Sequence, residues 1–214
     1  MLAATIGNMR KEHEMENREK DLRVVRSVPT QFTTRADGED LSIEGYFAVF
    51  DSVYNVGDGM TESIQQGAFK SSMDNDVRAL INHDTTLVLG RTKAGTLKLK
   101  EDDHGLWGHV DINPKDVDAM NLYERVKRGD VDQCSFGFNI VSERADISEQ
   151  GSCHWTIEEV DLHEVSACTF PAYEETSISA RSKDLADMKA RKIAAWKERM
   201  KERFKNGTES SDPS

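Results

Sequence analysis

The chain has 214 residues, of which 37% are hydrophobic and 31% are charged, and its formal net charge is −11. This length favours one folded domain with flanking segments, since a single domain commonly takes about 100–200 residues. The acidic balance argues against duplex DNA as the main partner, because phosphates require a cationic surface. No apolar run approaches the roughly 18 residues that a membrane span needs.

The start of the chain and its cysteines indicate the compartment. Residues 1–20 have a brief apolar opening and then become highly charged, which is typical of an arm outside the folded domain and not of a signal peptide. The three cysteines, Cys134, Cys153 and Cys168, are odd in number and widely spaced, a pattern that favours free thiols in a reducing environment. We therefore expect a cytoplasmic protein.

The first half of the chain predicts strands and one short helix. Residues 22–28 form a β-prone run, and residues 41–50 form a second strand. A short helix is predicted at residues 67–73. The apolar run at residues 77–84 predicts a strand that carries His83 at its far end.

The second half predicts a hairpin and two longer strands. Strands at residues 96–100 and 106–112 flank a polar turn that ends in Gly105, as in many β-hairpins. Further strands are predicted at residues 131–141 and 155–170. These segments make β-structure the dominant element of the folded domain.

A helix is predicted between the hairpin and the last two strands. Asn113 is placed to cap it, Pro114 lies at its first position and Gly129 ends it. Apolar residues at helical spacing predict one buried face, which consists of Ala119, Leu122, Tyr123 and Val126.

The C-terminal segment differs from the rest of the chain in charge. Residues 181–205 carry 10 Lys/Arg against 4 Asp/Glu, whereas residues 1–180 carry 18 against 33. A helix is predicted at residues 182–205 and a disordered end at 206–214. One side of this helix carries an apolar stripe, which consists of Ile193, Trp196, Met200 and Phe204. Such a segment fits an acidic protein partner, with a nucleic acid as the weaker alternative.

The elements together predict a mainly β fold with one or two helices, most simply a barrel or a two-sheet sandwich. We expect three regions: a charged arm at residues 1–20, a folded domain at 21–180, and a basic helical and disordered tail at 181–214.

Ser135 is the candidate nucleophile. The strand around it alternates strictly, so that Ser135 and Gly137 project from the face opposite the aromatic residues Phe136 and Phe138. The aromatic face must lie on the core. A hydroxyl beside the space left by a glycine, backed by a rigid core, is a suitable mount for a nucleophile. The alternative is an outward polar residue on an amphipathic strand.

His83 is the candidate base. Imidazole is the side chain best suited to take a proton from a serine hydroxyl near neutral pH. We expect a ring nitrogen of His83 to lie within or near hydrogen-bond reach of Ser135 Oγ. The alternative is a structural histidine at the strand end, hydrogen-bonded to Asp84.

Glu164 is the candidate third residue. By period two it shares a face with Val160, Leu162 and Cys168. A carboxylate on an apolar face is costly unless a partner satisfies it. Orienting an imidazole and stabilising its protonated form would be such a role. The alternatives are a bulge that turns Glu164 outward and an ion pair with an arginine.

Other chemistry is less well supported. Four potential zinc ligands fall in one stretch of the chain, namely Cys153, His154, His163 and Cys168. Their spacing fits none of the usual zinc signatures, so we expect no metal. Cys134 is a rival nucleophile whose side chain is expected to face the core. The sequence has no phosphate-cradling glycine loop, and we expect no cofactor.

A series of short motifs occurs in order between about residues 40 and 175. They are Gly45-Tyr46-Phe47-Ala48-Val49-Phe50, Glu62-Ser63-Ile64, Gly67-Ala68-Phe69, Asn82-His83-Asp84, Leu89-Gly90-Arg91, Ser135-Phe136-Gly137-Phe138, Glu164-Val165-Ser166 and Thr169-Phe170-Pro171-Ala172. Each motif alone is weak, but together and in this order they resemble the prohead protease family of tailed bacteriophages.

The resemblance implies a β-barrel like that of herpesvirus assembly proteases. It also implies a serine endopeptidase that cleaves scaffold protein, the scaffold-like arm of the major capsid protein, and itself. Those two proteins are the implied partners. Self-association is possible, and neither membrane nor nucleic acid is expected. The implied location is the assembling prohead in the host cytoplasm.

The resemblance assigns roles by motif. It implies that His83 is the general base, Ser135 the nucleophile and Glu164 the third member of a triad. Asp161 and His163 are alternatives for the third role because they lie close by in sequence. The oxyanion donors are expected among the backbone amides before Ser135 or in Arg91.

Two other interpretations remain. One is a non-enzymatic capsid or scaffold component that keeps the fold for assembly, and the other is a cytosolic peptidase unrelated to phage. The proximity of Ser135 to His83, and the effect of removing the Ser135 hydroxyl on processing, distinguish these interpretations.

Overall fold

The computed structural model describes residues 24–37, 40–170 and 175–208. The predicted arm at residues 1–20 lies outside these ranges, as do residues 209–214 of the predicted tail. The described part contains eleven strands and two α-helices. In chain order they are β1 (Val24–Pro29), β2 (Thr33–Asp37), β3 (Asp40–Val49), β4 (Tyr54–Gly57), β5 (Met60–Ile64), β6 (Arg78–Ile81), β7 (Asp84–Arg91), β8 (Leu97–Glu101), β9 (Gly105–Ile112), α1 (Val117–Arg128), β10 (Gln133–Ile147), β11 (Cys153–Cys168) and α2 (Glu175–Thr208).

The strands form two sheets. Sheet A runs β1-β10-β11, and the long strand β11 is then flanked by two short parallel strands, β5 along its first half and β6 along its second. Strand β4 extends this sheet beyond β5, and β7 extends it beyond β6. Sheet B is antiparallel and has the order β2-β3-β9-β8. The topology therefore places β10, β11 and β6 side by side.

A single large core cluster joins the two sheets and α1. The rings of Phe136 and Phe138 stack with their centroids 5.1 Å apart, and Phe69 meets Phe136 edge-on at 5.7 Å. Each large apolar side chain that is fully buried contributes about 1.5–3 kcal/mol. The core thus makes β10 a rigid support for the residues on its other face.

The mainly β fold with helices is confirmed, but the closed barrel is wrong. A barrel requires the first and last strands of a sheet to pair. One edge of β11 pairs with β10, and the other pairs with β5 in its first half and with β6 in its second half. Sheet A therefore branches at the point where it would have to close. In the described residues both sheets are open, which corresponds to the two-sheet alternative.

Helix α1 has the predicted buried face and the predicted end, but it begins later. Its N-cap is Asp116, whose carboxylate accepts hydrogen bonds from two backbone N–H groups of the first turn. Asn113 and Pro114 form the turn before the helix. Gly129 ends α1 with a φ of 80°, a conformation that glycine adopts without a steric penalty. All four predicted face residues are buried, namely Ala119, Leu122, Tyr123 and Val126.

The start of α2 packs against sheet A. Arg181 is only 5% exposed, and its guanidinium donates hydrogen bonds to both carboxylate oxygens of Glu143, at 2.8 and 2.7 Å. It also donates to Oε2 of Glu62 at 3.2 Å and lies 4.8 Å above the ring of Trp155. The predicted boundary at residue 181 therefore crosses a buried contact.

The remainder of α2 separates into two parts. Leu185 and Met188 pack against a small second core cluster on sheet A. Residues 189–199 are all exposed, and the predicted stripe residues Ile193 and Trp196 are 55% and 57% exposed. We call residues 181–188 the docked part of α2 and residues 189–208 the projecting part.

Two predicted elements are shorter than expected. The strand predicted at residues 77–84 ends at Ile81, and the short helix predicted at 67–73 is a single 3-10 turn at Lys70–Ser72. Gly67 has a φ of 99°, which interrupts a regular helix at its predicted start. Neither of the two described α-helices is long and apolar enough to cross a lipid bilayer.

Candidate active site

Ser135 lies on β10 with its side chain directed away from the core, as the alternation predicts. The pairing of β10 with β11 places Ser135 directly opposite Ser166 and Gly137 directly opposite Glu164. Residues directly opposite each other share one face of a sheet. We call this side of sheet A the polar face. It brings Ser135, Ser166 and Glu164 together.

Glu164 reaches the polar face through a β-bulge. The pairing with β10 passes from Glu164 to Leu162 and leaves His163 without a partner on β10. Leu162 and Val165 both belong to the core cluster, so the bulge reverses the alternation between them. The prediction that Glu164 shares a face with Val160 and Leu162 is therefore wrong. The side chain is nonetheless buried, with 2% of the residue exposed.

His83 lies in the tight turn that joins β6 to β7. Ile81 pairs with Asp84, so the turn has two central residues, Asn82 and His83, with φ values of 50° and 62°. Positive φ at both positions is the mark of a type I′ hairpin turn, which usually has glycine at the second one. A non-glycine residue in this conformation costs roughly 1–2 kcal/mol. His83 is thus held in a strained position.

Asn82 fixes this turn against the end of β11. Its backbone N–H donates to the carbonyl of Ala167 at 3.0 Å, and its side-chain oxygen accepts from the backbone N–H of Thr169 at 2.9 Å. Asp84 accepts hydrogen bonds from the backbone and hydroxyl of Thr86. The described hydrogen bonds of Asp84 thus go to Thr86, and none of them joins it to His83 as the alternative interpretation expects.

The ring of His83 contacts Glu164. Nδ1 of His83 lies 2.7 Å from Oε1 of Glu164, and Oε2 of Glu164 accepts a hydrogen bond from the hydroxyl of Ser166 at 2.5 Å. Since a carboxylate only accepts, Nδ1 carries a proton and Nε2 is the basic nitrogen of the neutral ring. Nε2 is buried and has no hydrogen-bond partner among the residues that the structure describes.

Ser135 does not hydrogen-bond to His83. Its hydroxyl donates to the backbone carbonyl of Arg26 on β1 at 2.9 Å, and Ser135 is fully buried. Diagonal neighbours across antiparallel strands have their Cβ atoms about 7–8 Å apart. Ser135 and Glu164 are diagonal neighbours of this kind. His83 contacts Glu164 from the side of β11 opposite to β10.

The two alternative third residues point elsewhere. Asp161 accepts a hydrogen bond from the side chain of Asn75 at 2.7 Å. The side chain of His163, at the bulge, is 40% exposed, and its Nε2 lies 3.8 Å from Asp161. Of the three candidates, only Glu164 contacts His83.

The cysteines differ from Ser135 in their surroundings. Cys134 is fully buried on the core side, and its thiol donates to the carbonyl of Tyr46 at 2.9 Å. Cys168 lies near Glu164, and its burial together with the charge of Glu164 raises its thiol pKa to about 12. A thiol with such a pKa stays protonated and is a poor nucleophile near neutral pH.

Arg91, a predicted oxyanion donor, is bound to Asp76. Its Nε and Nη2 donate to the two carboxylate oxygens of Asp76 at 2.6 and 2.5 Å. This pairing lowers the pKa of Asp76 to about 2. Within the ranges that the structure describes, no three His, Cys, Asp or Glu side chains are grouped so as to hold a metal ion.

Sequence analysis missed three residues that shape this site. Ser166 was detectable, because the Glu-x-Ser spacing on one strand places both side chains on one face. Asn82 was detectable only as a turn residue next to His83. The contact of Arg26 with Ser135 depends on the pairing of two strands that lie about a hundred residues apart in the chain, and no local pattern predicts it.

The chain is similar to known proteins over most of its length. A family model described as caudovirus prohead serine protease matches residues 29–191. The prohead protease of Enterobacteria phage HK97 is 32% identical over 155 residues, which are 71% of this chain and 64% of that protein. This chain thus spans a little under two thirds of that relative. The solved capsid assembly protease of bacteriophage T4 aligns over 68% of this chain and 96% of its own, with a TM-score of 0.46 and 12% identity.

The family match covers well over half of the chain and includes His83, Ser135 and Glu164. The protein therefore belongs to the caudovirus prohead serine protease family.

Proposed function

We propose that this chain is a serine endopeptidase of prohead maturation, with Ser135 as nucleophile, His83 as general base and Glu164 as the residue that orients the base. The observation that carries the proposal is the contact of His83 Nδ1 with Glu164, on the face of sheet A that also bears Ser135. An imidazole held through Nδ1 by a carboxylate presents Nε2 as a proton acceptor. The unpartnered Nε2 of His83 fits this role.

The reaction follows from these positions. Ser135 Oγ attacks the carbonyl carbon of the scissile bond while Nε2 of His83 takes its proton. Glu164 stabilises the imidazolium, which then gives the proton to the leaving amine. Water hydrolyses the acyl-enzyme, with His83 again as the base.

The hydroxyl of Ser135 must turn before it can react. At present it is bonded to the Arg26 carbonyl. Rotation about χ1 gives access to three staggered positions. We expect the productive one to direct Oγ to Nε2 of His83. Ser166 supports the site by holding the second oxygen of Glu164, which fixes the plane of the carboxylate.

The expected substrates are the scaffold protein and the scaffold-like arm of the major capsid protein, with self-cleavage as a further reaction. The protease would act inside the assembling prohead in the host cytoplasm. Membership in the prohead protease family supports this assignment. The oxyanion donors remain a prediction, either backbone amides before Ser135 or the remaining N–H groups of Arg91.

A second candidate is a catalytically inactive capsid-assembly component with the same fold. One observation favours it: Ser135 is fully buried and bonded to a backbone carbonyl instead of to His83. In this case the polar face would serve only to hold the turn between β6 and β7 in place.

Co-expression with the scaffold and major capsid proteins of the same phage, followed by intact-mass analysis, distinguishes the two functions. We expect fragments of both proteins with the native chain and none with Ser135→Ala. Ser142→Ala is the matched control, because Ser142 lies on the same strand but is half-buried, and its hydroxyl bonds to Glu158 outside the site. Equal processing by the native chain and Ser135→Ala would rule out the serine protease.

A further inference from the structure

Strand β1 lies where an extended substrate would have to lie. It pairs with β10 along six residues and is the edge strand of sheet A, so β10 would become the edge without it. Extended peptides bind proteins by adding a strand to such an edge. Ser27 is directly opposite Ser135, and the Ser135 hydroxyl contacts the carbonyl of Arg26 at 2.9 Å.

The carbonyl at this position belongs to the bond between Arg26 and Ser27. It is the backbone carbonyl to which the candidate nucleophile donates its hydrogen bond. A substrate bound in the same way would present its scissile carbonyl here. The family match begins at residue 29, so residues 24–28 of β1 precede the part of the chain shared with the family.

The side chain of Arg26 is held by a buried carboxylate. Its Nε and Nη2 donate to the two oxygens of Glu62, with Nη2 at 2.8 Å from Oε2. Glu62 is fully buried and Arg26 is 6% exposed. A two-pronged contact of this kind recognises a guanidinium with high geometric specificity.

The surroundings of Glu62 suit a site that can bind and release an arginine side chain. Removing one partner of a buried ion pair usually leaves an uncompensated charge, which is strongly destabilising. Glu62 has a second partner, since Arg181 also donates to its Oε2. The carboxylate therefore keeps a counter-ion when β1 is absent.

We propose that β1 occupies the substrate-binding edge and that Glu62 selects substrates with an arginine or lysine immediately before the scissile bond. This inference rests on the proposed function. The first substrate is the chain's own Arg26–Ser27 bond, and until it is cut β1 covers Ser135 and keeps other substrates out.

The self-cleavage step uses only groups already named, and it begins with the rotation of the Ser135 side chain toward Nε2 of His83 described above. Ser135 Oγ bonds to the carbonyl carbon of Arg26, and its proton moves to His83. The C–N bond to Ser27 breaks, and the amine of Ser27 takes the proton. Water then hydrolyses the ester, which restores Ser135 and leaves a carboxylate on Arg26.

Intact-mass analysis of the purified full chain tests the cleavage site. We expect a product that begins at Ser27 and a fragment that ends at Arg26. Arg26→Lys keeps the charge but not the two-pronged geometry, so it should be cut more slowly than the native chain but faster than Arg26→Gln. Arg26→Gln should be cut at least about 100-fold more slowly, since it leaves the buried Glu62 carboxylate without a cationic substrate partner. Equal rates for Arg26→Gln and Arg26→Lys would overturn the inference.

A second measurement does not depend on cleavage of the chain itself. Two synthetic peptides with the sequence of residues 22–31, one with arginine and one with glutamine at position 26, are offered to the same enzyme preparation. We expect the arginine peptide to have a kcat/KM at least about 100-fold higher. With Glu62→Gln this ratio should fall below about tenfold, and a ratio is independent of how much of the variant folds.

The outcomes separate the inference from the proposed function. Hydrolysis of casein or capsid protein that requires Ser135, without preference for arginine and with the Arg26–Ser27 bond intact, overturns the inference and leaves the protease assignment standing. Absence of any hydrolysis that requires Ser135 overturns both. An unchanged ratio with Glu62→Gln would show that the Arg26–Glu62 pair is only a structural contact.

Discussion

At the scale of single residues, the backbone of His83 is the most constrained part of the candidate site. Its φ of 62° is a conformation that glycine accepts and other residues resist. We expect His83→Gly and His83→Ala to be equally inactive, because both lack the ring. His83→Gly should nevertheless be more stable by about 1–2 kcal/mol. Urea unfolding of the pair measures this difference, and equal midpoints would contradict the strained turn.

The nucleophile is tested by neighbouring substitutions on β10. Ser135→Ala should lower kcat by about 10⁶ with the fold intact. Cys134→Ala should keep activity within a few-fold but lower stability by about 1–2 kcal/mol, because it leaves a small cavity in the core. Peptide hydrolysis and thermal unfolding of both variants are the measurements. Activity lost in Cys134→Ala and kept in Ser135→Ala would identify the cysteine as nucleophile.

Glu164 is tested against its two sequence neighbours. Glu164→Gln keeps the shape but removes the charge that holds His83 in the useful tautomer, so kcat should fall by about 10³–10⁴. Asp161→Asn and His163→Ala are matched controls, because neither residue contacts His83. We expect both to stay within about tenfold of the native rate. A normal rate for Glu164→Gln together with a large loss in one control would move the role to that residue.

At the scale of elements, the two parts of α2 should respond differently to truncation. A chain that ends at Met188 keeps the docked part, and its thermal stability should be close to that of the full chain. A chain that ends at residue 180 loses Arg181 and its charged hydrogen bonds to Glu62 and Glu143. Because Glu62 keeps Arg26 as a partner, the loss should cost about 1.5–3 kcal/mol. Calorimetry of the two truncations measures the difference. Equal stability would show that the contacts of Arg181 contribute little.

The elements that sequence predicts best are those with a long periodic pattern. The alternation of β10 identified which of its residues face the core, and the helical spacing in α1 identified its buried face. The short strands β2, β4, β5 and β7 were not predicted. In the last of these, the exposed residues Asp84, Thr85 and Thr86 give no apolar alternation. Such strands exist because a neighbouring strand provides hydrogen-bond partners, which is not a local property of the sequence.

The candidate site was predicted in its members but not in its geometry. His83 and Glu164 do contact each other, yet the reasoning that placed Glu164 on an apolar face was wrong. A strict period of two cannot show a bulge, because the extra residue, His163, is recognisable only from the pairing with β10. The strand predicted at residues 77–84 likewise does not show the turn that holds His83, because that turn is defined by the pairing of Ile81 with Asp84.

At the scale of the whole molecule, charge is divided between a body and a projecting helix. Residues 189–208 carry 8 Lys/Arg and 2 Asp/Glu, while residues 1–180 have an excess of 15 acidic groups. Since residues 189–199 of this segment are exposed, they are free to bind an acidic partner such as scaffold protein. We propose that it recruits the enzyme to the prohead and takes no part in the chemistry.

This proposal predicts a separation of two activities. Removal of residues 189–214 should leave the cleavage of a short peptide within about twofold of the native rate, but should reduce the number of copies per prohead. Incorporation of the full chain should also fall as salt is raised from 50 to 500 mM, because salt screens exposed charges. Quantitative mass spectrometry of purified proheads measures both effects. Equal incorporation with and without the segment would contradict the recruiting role.

The position of Glu62 also bears on how long a processed molecule persists. This one carboxylate is bonded both to Arg26, near one end of the described chain, and to Arg181, near the other. Loss of either end leaves it with a counter-ion. Loss of both would leave a fully buried carboxylate without any of its described partners, which is a costly state. A molecule that has lost one end should therefore stay folded, whereas a molecule that has lost both ends should have a much less stable fold.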